Sequence, residues 1–405
     1  MNSIIGFPAG NCNPRRGNSP RLQTRGKSDI KGKVIWTKED LKMESKLKAL
    51  LSAIEPLDDR AMEEARKRQA ELAKPPGSLG RLEDISIRLA GITGQLHNTV
   101  EKRRIIVLCA DNGVAEEGVA SAPQTVTAAQ AVNMTRRLTG MSTLAKHFGD
   151  DVQVVDMGIA CPYVCPGILN RSLGKGTKNL YREPAMTREQ ALKAILTGAE
   201  LAAAARAEGI QVVGVGEMGI GNTTTSAAVL AALTGLTVEQ VTGRGGGITD
   251  ESFRKKKQVI AHALELHRPD RNDPVDVLGK VGGFDLAAMC GVFLGAAANR
   301  LPVVADGFIS IVAALCAGRL SPAAAEYIFP SHASYEIGYT AAAKELGLEP
   351  WLLLNMRLGE GSGCPLAFQV MDAACAIMNE MATFAEASIN DDYLEEIRAG
   401  ESFKV

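Results

Sequence analysis

A chain of 405 residues with 46% apolar side chains can bury a large interior; only 4% of residues are aromatic while 41 are glycine, a balance that favours helices packed closely on a sheet over an aromatic-rich sandwich. The formal net charge of −1 leaves no overall field to draw the chain to nucleic acid or to an anionic membrane, so any phosphate must be held by local geometry. The eight cysteines are scattered, several within apolar runs, which argues against a secreted disulfide framework and for a reducing, cytoplasmic setting.

In chain order, residues 1–43 come first. Residues 1–28 carry Arg15, Arg16, Arg21, Arg25 and Lys27 but no acid, and read as a disordered tail or a mis-assigned start. Helical patterning after Met43 makes that methionine the expected natural start. Residues 44–73 read as one helix, with Leu47, Leu50, Leu51 and Ile54 on one face. Lys74-Pro-Pro-Gly stops it, because proline cannot continue the hydrogen-bond ladder. Ser78 is the expected cap of a second helix through Leu96.

Short β-branched runs then alternate with amphipathic stretches. Strands are expected at 104–109, 152–157, 211–215 and 302–305, and helices at 126–148, 188–208, 223–233 and 286–299. The apolar stretch 286–301 is too short to cross a bilayer and is broken by Asn299 and Arg300. Alternation of this kind implies a parallel sheet covered on both faces, an α/β fold whose ligands bind beyond the carboxyl ends of the strands. Acids and glycines gather there: Asp111-Asn112-Gly113, Asp156-Met157-Gly158, Gly216-Glu217-Met218-Gly219 and Asp306-Gly307. Beyond Ser331 the chain returns to helix, broken by the loop Arg357–Gly363 of sequence RLGEGSG.

Three segments carry the candidate chemistry. GEMGIGNTTT at 216–225 lets a ligand approach the backbone closely, and Asn222, Thr223 and Thr224 are placed to cap the next helix, whose N-terminal amides attract anions. An ordinary glycine turn explains the cap but leaves Glu217 without a purpose. GRGGG at 243–247, ahead of Lys255, Lys256 and Lys257, suits a phosphate, although a solvated lysine face explains the lysines equally well. It lacks the ending of a Walker loop. In RLGEGSG a lone carboxylate, Glu360, stands among three glycines and is the best catalytic candidate. Neither a clustered His/Asp/Glu metal set nor a G-x-S-x-G elbow appears, and His332 reads as structural. Cys161 and Cys165 lack a second pair and read as loop or core thiols.

Taken together, KPPGSLGRLE (74–83), ADNGVAEEGVASAPQTVT (110–127), REPAMTREQA (182–191), GEMGIGNTT (216–224), VGGFDLAAMCGVFLGAA (281–297), PVVADGFIS (302–310), PSHAS (330–334), RLGEGSG (357–363) and NEMATFAEA (379–387) resemble the nicotinate-nucleotide:dimethylbenzimidazole phosphoribosyltransferase family. The resemblance spans about residues 44–388. It implies a homodimer with a Rossmann-like parallel sheet flanked by helices. It divides the chain into a small helical domain from both ends (44–100 with 336–390), a large nucleotide-binding domain (101–335) and a tail (391–405). It also implies roles. Glu360 is the catalytic base and Glu217 a second carboxylate at the reacting centre. Gln130, Pro123, Met356 and Leu358 hold the aromatic base. Gly219, Asn222, Thr223, Gly246, Lys256, Asp306, Gly307 and Ser334 hold the nucleotide and its phosphate. Two positions depart from the family pattern: Asn112, where ADHG is common, and Ala122, where a hydroxyl residue is frequent.

The implied substrates are small molecules, nicotinate mononucleotide and a flat base, with neither nucleic acid nor membrane as partner. Nicotinate leaves a pyridinium sugar as a neutral group, so the chemistry calls for a base, stabilisation of an oxocarbenium-like ribose and proximity, with no cofactor or metal. Three other readings compete. A nicotinamide or flavin oxidoreductase lacks GxGxxG after a strand. A non-catalytic nucleotide-binding protein would not need both Glu217 and Glu360. Transfer to another acceptor, such as adenine or a phenol, remains open.

Overall fold

The computed structural model describes residues 38–394, with side chains from Leu41. The arginine-rich segment read as a tail, and residues 395–405, lie outside this range. In chain order the elements are α1 (Lys38–Ser52), α2 (Asp59–Glu71), α3 (Arg81–Thr93), β1 (Arg103–Ala110), α4 (Thr125–Thr135), α5 (Gly140–Phe148), β2 (Asp151–Gly158), β3 (Ile168–Asn170) and α6 (Arg188–Ala207). They continue with β4 (Val212–Met218), α7 (Asn222–Thr234), α8 (Val238–Val241), α9 (Asp250–His267), α10 (Pro274–Val281), α11 (Phe284–Ala298), β5 (Val303–Ala305), α12 (Phe308–Leu320), α13 (Pro322–Ala325), β6 (Ile328–Pro330), α14 (Gly338–Glu345) and α15 (Cys364–Glu380).

All six strands are parallel, in the order β3-β2-β1-β4-β5-β6. This is the doubly wound order, in which the chain runs outward in opposite directions from the β1–β4 pair and leaves a crevice at their carboxyl ends. The central strands are buried on both faces, so β1 reads RRIIVLCA with its last six residues covered. One continuous apolar core joins the sheet to its helices. Among the described residues no helix is long and apolar enough to cross a membrane.

Both ends of the described chain are helical and meet. Ala61, Ala65, Ala90 and Met378, from α2, α3 and α15, form a separate small apolar cluster, and Leu72 pairs with Thr383. In contrast, α1 packs on α6 and α11, and α14 on α12.

Several expectations need correction. Residues 44–73 are two helices, not one: Asp58 accepts the Ala61 N–H and restarts the chain as α2 after Pro56 interrupts the backbone donors. Patterning also begins before Met43, since α1 starts at Lys38. Ser78 caps nothing, because α3 starts beyond Gly80 without a side-chain cap and ends at Thr93. The stretch 126–148 breaks at Thr139, whose side chain and Ser142 form a capping box for α5. Gly221, not a side chain from 222–224, precedes α7. Two strands of three residues, β3 and β6, lie where no strand was expected, so β5 is not the last. The expected C-terminal tail starts with a 3-10 turn, Asp392–Leu394, that buries Leu394.

Candidate active site

The crevice at the β1–β4 carboxyl ends opens into a cavity of about 270 Å³. Glu217 lies near the end of β4, paired in register with Leu108 of β1. Asp306 follows β5, and Glu360 arrives from the loop before α15. All three are buried, although they come from segments far apart in sequence.

Glu360 sits at φ +64°, flanked by Gly359 at +82° and Gly361 at +89°. Left-handed backbone is uncommon for a residue with a side chain, and such strain concentrates where surrounding structure enforces it. The enforcement is visible: the Glu360 amide donates to Glu217 Oε1 at 3.3 Å, and Gly361 N donates to Asp306 Oδ2 at 3.0 Å. A Cβ at Gly359 would stand 2.4 Å from Glu217 Oε1, so the close approach of the two glutamates requires glycine there.

The Glu360 carboxylate is aimed by α5. Its Oε2 accepts the Met141 N–H at 3.2 Å, in the first turn of the helix, where partial positive charge favours an anion. Burial still raises its pKa, opposed by Met141 and Thr139 and reinforced by Asp306. Glu217 is pushed up to about 8, chiefly by burial and then by the Asp285 and Asp306 charges, against the donors Glu360 N and Asn222. The Asn222 Nδ2 donates to Glu217 Oε2. Asp285, wholly buried in the first turn of α11, is raised to about 7, mainly by burial. Glu217, Asp306 and Glu360 therefore gather buried carboxylates on the cavity wall, with Asp285 close by.

The mouth is the reverse. Arg244 and Arg357 line it and are exposed, and Arg357 Nη1 donates to Gly245 O at 3.2 Å, fastening the glycine loop 243–247. Lys256 does not line the cavity. It is buried behind Thr223, donating to Thr223 Oγ1 at 2.9 Å, and burial lowers its pKa to about 8, opposed by Glu336. The site thus offers negative charge inside and positive charge at its lip.

Of the residues expected at the site, Glu217, Glu360, Gln130, Leu358, Gly219, Asn222, Thr223, Gly246, Asp306, Gly307 and Ser334 all line this one cavity. Pro123 and Met356 do not. Pro123 is exposed and its carbonyl accepts Val126 N, while the Met356 carbonyl accepts Tyr335 N; both shape neighbouring lining residues instead. Arg244, Arg357 and Glu336 also line the cavity and were missed, as was Asp285, which does not line it but whose charge raises Glu217. Asp285 had a visible signal, as an acid opening an otherwise apolar helix.

A pH consequence follows from Glu217. Its folded pKa is raised, so the stability it contributes is present below the ordinary glutamate range and is lost as pH rises through about 8. The ligand-free protein should therefore lose more stability between pH 5 and pH 8.5 than its Glu217→Gln variant. Thermal midpoints across that range measure the difference, and parallel curves would exonerate Glu217.

A family model described as "Phosphoribosyltransferase" matches residues 54–389. A curated relative from Clostridium perfringens (strain ATCC 13124), named nicotinate-nucleotide–dimethylbenzimidazole phosphoribosyltransferase, is 55% identical over 359 residues, covering 89% of this chain and 99% of its own. A relative of the same name from Ruminiclostridium cellulolyticum is 48% identical over 339 residues, covering 84% and 96%. The crystal structure of the enzyme so named from Thermus thermophilus superposes with a TM-score of 0.78 at 39% identity, covering 82% of this chain and 99% of that one. The chain is an enzyme of the pentosyl-transferring class and belongs to the nicotinate-nucleotide:dimethylbenzimidazole phosphoribosyltransferase family.

Proposed function

We propose that the chain transfers the 5-phosphoribosyl group of nicotinate mononucleotide to 5,6-dimethylbenzimidazole or a closely related flat base. The products are nicotinate and α-ribazole 5′-phosphate, the nucleotide of a cobamide lower ligand. The observation that carries this reading is the charge layout of one cavity: buried Glu217, Asp306 and Glu360 deep inside, and Arg244, Arg357 and the glycine loop at its mouth. Nicotinate mononucleotide has the complementary layout, with positive charge on the pyridinium and developing ribosyl cation and negative charge on the phosphate.

The phosphate is read by the Gly245–Gly246 backbone, Thr223 and the mouth arginines, with Lys256 reinforcing Thr223 from behind. Gln130 and Leu358 flank the acceptor base. The C1′–nitrogen bond to nicotinate breaks and its electron pair leaves with the pyridine, which departs neutral. The lone-pair nitrogen of the benzimidazole attacks C1′ from the opposite face, inverting it. Glu360 takes the proton from the other ring nitrogen, which keeps electron density on the attacking one; such general-base help is worth about 10²–10⁴-fold in rate. Glu217, drawn to its ionised form by the bound cation, stabilises positive character on the sugar. A homodimer in the cytoplasm, with the helical ends of each chain forming a small domain, completes the proposal.

The test is chromatographic: nicotinate release from nicotinate mononucleotide, with dimethylbenzimidazole, adenine or a phenol as acceptor. Fast release with dimethylbenzimidazole and an α-ribotide product is the expected result. Release only with adenine or a phenol would overturn the acceptor, and release with none would overturn the transfer.

A further inference from the structure

The loop that carries Glu360 is held from below by a group the reaction itself does not use. Asp306 accepts Gly361 N at 3.0 Å with one oxygen and Gly363 N at 2.7 Å with the other. It therefore grips the loop on the C-terminal side of Glu360. Beside it lies His332, two residues beyond β6 and buried, with Nδ1 3.7 Å from Asp306 Oδ1.

Hydrogen-bond accounting fixes which ring nitrogen carries the proton. Ser331 Oγ stands 3.0 Å from the Asp306 carbonyl oxygen, a contact in which only the hydroxyl can donate. With that hydrogen spent, the 3.2 Å contact between Ser331 Oγ and His332 Nδ1 must run from an Nδ1–H to the hydroxyl oxygen. The Nδ1–H is thus present, and it faces both Ser331 and the Asp306 carboxylate. The other nitrogen, Nε2, has no hydrogen-bond partner among the described residues. It looks towards the cavity wall, since a Cβ at Gly307 would stand 3.6 Å from it.

We propose that His332 is a positioning residue for the transfer: its Nδ1–H sets Ser331 and Asp306, and Asp306 in turn clamps the left-handed turn that presents Glu360. The proposal rests on Glu360 being the general base. Three consecutive residues at positive φ do not hold themselves in place, and a clamp outside the loop supplies what local preference does not. The loop's own bonds, Ser362 N to Gly359 O and Cys364 N to Gly361 O at 3.0 Å each, close its turns without fixing it to the sheet. Asp306 fixes it to the end of β5, and the serine and imidazole fix Asp306.

The experiment compares kcat and KM for nicotinate release by the full-length wild type, His332→Asn and His332→Leu, each also in a Glu360→Gln background. Asparagine keeps an N–H near the place of Nδ1, whereas leucine fills the space without one. The Leu variant should lose kcat by about 10- to 100-fold, as a displaced catalytic group does, with KM changed by less than about threefold. The Asn variant should keep kcat within about threefold of wild type, and His332→Leu should cost nothing further once Glu360 is glutamine.

Equal losses in Asn and Leu, a change confined to KM, or losses that multiply with Glu360→Gln would each overturn the role. If His332→Leu does not fold, His332→Gln, whose N–H falls at the place of Nε2, replaces it and should lose kcat where Asn does not. A large Glu360→Gln loss beside a His332→Leu enzyme near wild type sinks the His332 role alone. Full activity in Glu360→Gln sinks the base assignment and takes the His332 role with it.

Discussion

Glu360→Gln should lower kcat by about 10²–10⁴-fold while leaving the affinity for nicotinate mononucleotide nearly intact. Glutamine is the informative replacement because it disturbs so little else. Its amide oxygen can still accept the Met141 N–H, and the backbone amide can still donate to Glu217. Only the capacity to take a proton is removed. Alanine would also empty the contact at the start of α5 and confuse loss of chemistry with loss of packing. Steady-state rates of nicotinate release decide the matter, with a binding isotherm to show that the nucleotide still docks. A variant within about threefold of wild type would mean that the proton goes elsewhere.

The second large effect concerns stability. Gly291→Ala should destabilise the protein by about 3 kcal/mol, at the upper end of ordinary overpacking. Helix propensity pulls the other way, since alanine in a helix interior gains about 0.5–1 kcal/mol over glycine. Geometry decides which wins. A Cβ at Gly291 in α11 would stand 1.8 Å from Ile195 O of α6, and the reciprocal Cβ at Gly198 would stand 1.9 Å from Ala288 O. Both obstacles are backbone, which cannot rotate aside as a side chain can. The helices would have to separate along a seam that also includes Gly295 against Ala199. A urea titration reads the result, and an unchanged or raised midpoint would show that the seam can open at little cost.

Much of this was legible in the sequence because burial on both faces leaves a strong signature. The runs in β1, β2 and β4 are apolar and β-branched, and the three longer strand–helix alternations followed from them. Two of the three short strands escaped for a physical reason. β3 and β6 contribute three residues each at the sheet edges, where pairing with a neighbour, not local preference, makes a strand. Helix breaks were misjudged where one residue outweighed a long periodic pattern, as at Asp58 and Thr139. At the site, the glycine loops and their lone acids stood out, whereas Asp285, an acid opening an apolar helix, was visible but passed over. Lys256 and His332 illustrate the opposite difficulty. Their types and neighbours were visible, but their function as supports behind Thr223 and Asp306 depends on contacts between distant segments.

The order in which these segments leave the ribosome has a consequence of its own. Domains assemble from the N-terminal side during synthesis, so Glu217 and the glycine loop 243–247 emerge more than a hundred residues before Glu360. The face of β4 at Gly214 also waits, because the atoms that cover it are Cys364 and Phe368 of α15. A nascent chain released before α15 therefore carries an uncovered central strand. Docking of α15 closes the core and settles the Glu360 loop against the sheet in one event, so truncated chains present an aggregation hazard.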